Sequence, residues 1–76
     1  MSKLPILSGQ EIIKVLKKIG YRPIRQRGSH IRLDCAMSGR KRITIPDYRS
    51  VDTDLLSKIL KSAGITKEEF SVLMKK

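Results

Sequence analysis

His30 is the one histidine in this chain of 76 residues, and it stands in the run Arg25-Gln26-Arg27-Gly28-Ser29-His30-Ile31-Arg32-Leu33. Imidazole can take or give a proton near neutral pH. Guanidinium groups bind phosphate oxygens through charge-assisted, often paired hydrogen bonds. An imidazole set among Arg25, Arg27 and Arg32 is therefore equipped to grip or cut a polyphosphate. Ser29 is a second candidate nucleophile, but a serine needs a base to activate it, and no further base or acid dyad accompanies it. Shaping a turn or holding a phosphate is the role left to it.

The spacing says how the imidazole is presented. His30, Arg32 and Asp34 alternate with Ile31, Leu33 and Cys35, the period of a strand with one aliphatic face. That strand buries Ile31 and Leu33 and turns His30 toward solvent. Cys35, on the apolar face, reads as a small buried hydrophobe. Gly28-Ser29 reads as the turn before it, with Gly28 supplying a positive φ and a close approach to substrate. Tyr21 to Arg27 reads as the preceding strand, and Pro23, which has no N–H to give a ladder, places it at an edge or a strand start. His30 to Ala36 is the second strand and Met37-Ser38-Gly39-Arg40 a tight turn. Lys41 to Ile45 is the third strand, with Ile43 and Ile45 inward and Arg42 and Thr44 outward. Short connections between consecutive strands make an antiparallel meander the economical topology.

Helices flank this sheet. Ser8-Gly9-Gln10-Glu11 is a capping box; it opens a helix over 9–19 whose Ile12, Ile13, Leu16 and Ile19 face one way and whose lysines face the other. Gly20 stops it. Asp52 or Thr53 caps a second helix with a stripe of Leu55, Leu56, Ile59, Leu60 and Ala63, ended by Gly64. Thr66-Lys67-Glu68-Glu69 is a second capping box and opens a short last helix carrying Phe70, Leu73 and Met74. The stripes of the two long helices and the apolar face of the sheet satisfy one another if both helices pack together on that face. The expected core is Leu16, Ile19, Ile31, Leu33, Ile43, Ile45, Leu56, Ile59 and Leu60. The expectation is one α+β domain over residues 1–76, in the order α-β-β-β-α with a short extra C-terminal helix. That is the order of a double-stranded-RNA-binding fold. Its open sheet face carries His30, Arg32, Arg42 and Thr44.

Composition narrows the partner. Seventeen Lys and Arg against seven Asp and Glu give a formal net charge of +10, an excess that points to a polyanion. The clustering of Arg25, Arg40, Lys41 and Arg42 at one end of the sheet favours RNA contact over ordinary solvated charge. Aromatic residues make up 4% of the chain, too few for a recognition surface built on aromatic stacking, and Tyr21 reads as packing. One cysteine excludes an internal disulfide and fits a reducing compartment. No apolar run reaches the length of a membrane span and Met1 to Pro5 lacks a signal-peptide core, so a soluble cytoplasmic protein without a membrane partner is expected. No His/Cys/Asp grouping has metal-ligand spacing, so neither a metal nor another cofactor is expected.

Four stretches carry a resemblance. They are Ser8 to Tyr21, ending Leu16-Lys17-Lys18-Ile19-Gly20-Tyr21; Arg27-Gly28-Ser29-His30; Ile43-Thr44-Ile45-Pro46; and Leu56 to Ile65, ending Ala63-Gly64-Ile65. In this order the chain resembles the HicA toxins, small ribonucleases of toxin–antitoxin pairs. The resemblance implies a double-stranded-RNA-binding-like fold, cleavage of messenger RNA, His30 as the catalytic residue, and a HicB-type antitoxin that covers the site. The chain departs from the family pattern in two places. Many members carry a second histidine shortly after the proline that ends the third strand, where this chain has Asp47-Tyr48. Many open the second helix with Gly-Thr, where this chain has Asp52-Thr53-Asp54.

A single histidine suffices for one route. RNA carries its own nucleophile, the 2′-hydroxyl. A neutral imidazole can take that proton while the oxygen attacks phosphorus, giving a 2′,3′-cyclic phosphate and a free 5′-hydroxyl. Arg25, Arg27, Arg32 and Arg42 would bind phosphates, with Gly28 and Ser29 close to the backbone of the RNA. The acid for the leaving oxygen stays open among water, Tyr48 and protonated His30. The competing reading is a non-catalytic module that binds structured RNA by shape and phosphate contacts.

Overall fold

The computed structural model describes residues 4–36 and 39–75. Its elements are α1 (Gly9–Lys17), β1 (Tyr21–Arg27), β2 (His30–Cys35), β3 (Ile43–Pro46), α2 (Thr53–Ala63) and α3 (Lys67–Met74). Each helix starts where a short polar side chain can take an orphan N–H. Ser8 Oγ accepts from the Glu11 N–H at 3.1 Å, and Glu11 Oε1 accepts from the Ser8 N–H at 2.9 Å. Asp52 is the N-cap of α2, its Oδ1 accepting from the Leu55 N–H at 2.8 Å. Thr66 and Glu69 close the second capping box, at 3.0 and 2.9 Å. Gly64 ends α2 at φ 76°, the left-handed C-cap that glycine adopts without steric cost.

The strands form one antiparallel sheet in the order β1-β2-β3, so β1, with Pro23, is an edge. Ile31 and Leu33 from β2 and Ile43 and Ile45 from β3 turn to one face and are buried. Against it pack Ile12, Leu16, Leu56, Leu60 and Phe70, each at most 2% exposed. No polar or charged side chain among the described residues is buried with them. An α+β order with the helices on one face of a three-stranded sheet is thus the observed architecture. No helix is long and apolar enough to cross a membrane among the described residues.

Several expectations change in detail. The third strand starts at Ile43, not Lys41, because Arg40 and Lys41 serve other contacts. The ring of Tyr21 is buried while its hydroxyl, at the rim, donates to the Lys41 carbonyl at 2.8 Å, and desolvation raises its phenol above the ordinary 10.0. Arg40 Nη1 donates to the Ala63 carbonyl at 2.8 Å, so its cation sits on the C-terminal end of α2. Pro46 belongs to the strand, and β2 ends at Cys35, one residue early. Ile19 falls in the turn after α1 and is half-buried at the core's rim, where the expectation had it inside. The two long helices make no close backbone approach to each other; α3 bridges them and touches both. The proposed turn at Met37 and Ser38 lies outside the described residues.

The segment between β3 and α2 is more ordered than a plain loop. Val51 is fully buried and forms an antiparallel bridge with Leu7, its N–H donating to the Leu7 carbonyl at 2.7 Å. Gly9 donates to the Tyr48 carbonyl at 2.9 Å. A Cβ on Gly9 would collide with the Pro46 carbonyl, so only glycine lets the start of α1 approach the end of β3 this closely.

Candidate nucleic-acid interface

The hairpin joining β1 and β2 builds the site. Its loop is Gly28-Ser29, between the paired residues Arg27 and His30. Gly28 has φ 58° while no non-glycine residue among the described residues has positive φ, the pattern of a turn with glycine at the first central position. The turn is anchored from behind. The Asp47 N–H donates to the Ser29 carbonyl at 2.7 Å. Gln26 Nε2 donates to the Gly28 carbonyl at 3.1 Å and lies 3.4 Å from Asp47 Oδ2, and Gln10 Nε2 donates to Asp47 Oδ1 at 3.1 Å. Asp47 thereby ties α1, β1 and the turn together.

Residues opposite one another in a ladder project to the same face, so the register lays out the open side in rows. Arg27, His30 and Pro46 form the row nearest the turn, and Arg25, Arg32 and Thr44 the next. Arg22 pairs with Asp34 beyond them, and Arg42 reaches Asp34 across the sheet at 3.4 Å. Arg25, Arg27, His30 and Arg32 are exposed, and none of the three arginines has a carboxylate partner among the described residues. Together with Ile24, Arg42 and Thr44 they line an open groove of about 580 Å³. Of the expected site residues, His30, Arg25, Arg27, Arg32 and Arg42 meet in this groove, and Gly28 and Ser29 form the turn at its end.

Strict alternation would not have produced this face. Counting from buried Tyr21, a period of two sends Arg25 and Arg27 to the core. A register shift between Pro23 and Arg25 leaves Ile24 without a partner, a β-bulge that returns both arginines to the open side. The signal in the sequence was slight: strict alternation from Tyr21 would turn Arg25 and Arg27 away from the face that carries His30 and Arg32.

Chemically the groove offers one imidazole and a row of guanidiniums to an anion. Among the described residues no three His, Cys, Asp or Glu side chains converge to hold a metal ion. Residues 9–65 match the family model described as the HicA toxin of bacterial toxin-antitoxin. The chain belongs to the HicA toxin family. No curated protein and no solved structure matched the chain. Membership makes it the toxin half of a toxin–antitoxin pair, with an antitoxin as its partner. The HicA span runs from Gly9, pressed on Pro46, to Ile65 just after α2, and so contains every residue lining the groove. It leaves out α3, although Phe70 of α3 is fully buried in the core.

Proposed function

We propose that this toxin is an endoribonuclease that cleaves messenger RNA with His30 as the general base. One observation carries the reading: in a toxin of this family, the chain's one histidine is exposed in a groove lined with arginines. RNA lies across the open sheet face with a phosphate at the Arg27–His30 row. The His30 imidazole takes the proton of the adjacent 2′-hydroxyl, and the oxygen attacks phosphorus. The bond from phosphorus to O5′ breaks, O5′ takes a proton from imidazolium or water, and a 2′,3′-cyclic phosphate remains. Arg27 and Arg32 hold the non-bridging oxygens as charge grows on them. The nucleophile is the substrate's own, so the route draws on no metal or other cofactor. Arg25 and Arg42 extend the grip along the strand, and Gly28 and Ser29 let the backbone of the RNA pass close to the turn. The antitoxin, of the HicB type, covers this face and silences it, and both act in the cytoplasm.

The test compares the parent with His30→Ala on messenger RNA in the presence of EDTA, with both melting temperatures measured. His30 alternates with buried Ile31 and is itself exposed, so the variant should melt as the parent does. Its cleavage should fall ~10²–10⁴-fold, the usual worth of a positioned base, and cyclic phosphate ends should disappear with it. Unchanged cleavage by the folded variant removes His30 from the chemistry. Binding without any cleavage by the parent leaves the structured-RNA-binding module as the function.

A further inference from the structure

We propose that Ile24 is the floor of a nucleobase subsite, where one base of a single-stranded RNA lies flat beside the bond to be cut. The inference rests on the ribonuclease reading and adds to it how a base is held. Four observations lead to it.

Ile24 is the bulged residue of β1, with no partner in the ladder. Bulges recur beside active sites because they re-aim a side chain. This one turns an aliphatic side chain into the groove, where Ile24 is the only aliphatic residue among the described lining. It is 46% exposed, although a large hydrophobe on a chain of charge +10 has other places to go. The other large exposed hydrophobics, Ile6, Tyr48 and Val72, stand outside this groove. Single exposed apolar residues are ordinary on a surface; one set inside a charged groove by a register shift is a different matter.

The spacing suits a nucleotide. Ile24 adjoins the Arg25–Arg32–Thr44 row. Same-face rows stand ~7 Å apart, two residues at ~3.3 Å each. A phosphate at the Arg27–His30 row therefore leaves Ile24 about one row away, within reach of a base on the neighbouring ribose. The base's flat face meets the sec-butyl side chain of Ile24, and the guanidinium planes of Arg25 and Arg32 can cover the other side, as arginine does on unstacked bases. A paired base shows no free face, so the subsite selects single-stranded RNA over duplex. An aliphatic floor supplies what the scarcity of aromatic residues denies.

The experiment measures binding of the full chain to two strands of equal length. One is a 2′-O-methylated oligoribonucleotide, which lacks the attacking hydroxyl and stays intact. The other is its abasic counterpart, with the same phosphates. Ile24→Ala should weaken binding to the base-bearing strand by about 5-fold, the low end of what a base gains from an aromatic platform. Binding to the abasic strand should change less than about 2-fold, because phosphate contacts set that affinity. Ile24→Phe, which keeps the bulk and adds a flat face, should restore or tighten the base-bearing complex. It also reports on the subsite if the alanine variant does not fold. Equal losses on both strands would overturn the subsite, as would unchanged RNA binding with loss of antitoxin affinity, which would make Ile24 an anchor for the protein partner. A parent that neither binds nor cleaves RNA would overturn the ribonuclease reading itself, and the subsite with it.

Discussion

The two faces of the sheet are built from the same strands and do opposite things. On the helix side, Ile31, Leu33, Ile43 and Ile45 are at most 5% exposed and meet only apolar neighbours among the core residues. On the open side, at the alternate positions of the same strands, stand Arg25, Arg27, His30, Arg32 and Arg42 with a single carboxylate, Asp34, in their rows. Burying unpaired charge costs several kcal/mol per ion, so the arginines cannot trade places with the aliphatics. The contrast teaches that the core and the candidate site are divided by side-chain parity, and that the parity of β1 hangs on one bulged residue. Substitutions on one face should move the melting temperature and leave RNA alone, and those on the other should do the reverse.

The largest expected effect is on the helix side. Phe70 is fully buried although α3 lies outside the span that matches the family. Phe70→Ala should cost ~3–5 kcal/mol, against a total stability of ~5–15 kcal/mol for a domain of ordinary stability. Chemical denaturation followed by circular dichroism would measure it. A melting curve unchanged from the parent would mean that α3 is an appendage and that the core is complete without it.

The open side should respond in salt dependence. Each phosphate contact removed from a single-stranded complex lowers the slope of log affinity against log salt by ~0.7. Arg27→Ala should therefore weaken RNA binding, flatten that slope by about this amount and leave stability within ~0.5 kcal/mol. Arg40→Ala is the matched control. Its guanidinium holds the Ala63 carbonyl at the end of α2, so it should lower the melting temperature and leave the salt slope intact. If both variants gave the same salt slope, the division between faces would fail at its clearest pair.

Some of this was legible in the sequence and some was not, for one physical reason. Ser8, Asp52 and Thr66 announce helix starts through hydrogen bonds to residues three positions on, and Gly28-Ser29 announces a hairpin through its own backbone. Such signals are local. The roles of Arg40, Val51 and Asp47 depend on partners 18 to 44 positions away in the chain, at Ala63 and Gly64, at Leu7, and at Gln10, Gln26 and Ser29, and no short window contains them. Arg40 read as a surface cation because its partner is the end of a helix not yet placed. His30 was legible because alternation with Ile31 and Leu33 needs only neighbours. Ile24 was missed because the expected strand was read without a bulge, and the register shift shows only in its pairing with β2.

The smallest expected effect concerns acid, and it belongs to the helix side alone. Glu11 and Glu69 close the two capping boxes. The Ser8 backbone N–H, followed by the Ser8 side chain, holds the Glu11 carboxyl below the ordinary 4.5. The Thr66 backbone N–H and side chain do the same for Glu69. A carboxyl whose folded value is lowered stabilises the fold above its unfolded value, and that contribution is lost as pH falls through the folded value. The caps should thus be at full strength at neutral pH and weaken only below pH 4.5. Glu11→Gln with Glu69→Gln keeps an oxygen for each N-cap N–H but removes the proton uptake. The double variant should show a shallower fall of stability with acid than the parent. Its RNA affinity at neutral pH should be unchanged, because neither residue lines the arginine groove. Melting temperatures measured across the acid range for both proteins decide the point: identical acid limbs would mean that the caps do not titrate on folding, and a change in RNA affinity would mean that the helix side reaches the open face after all.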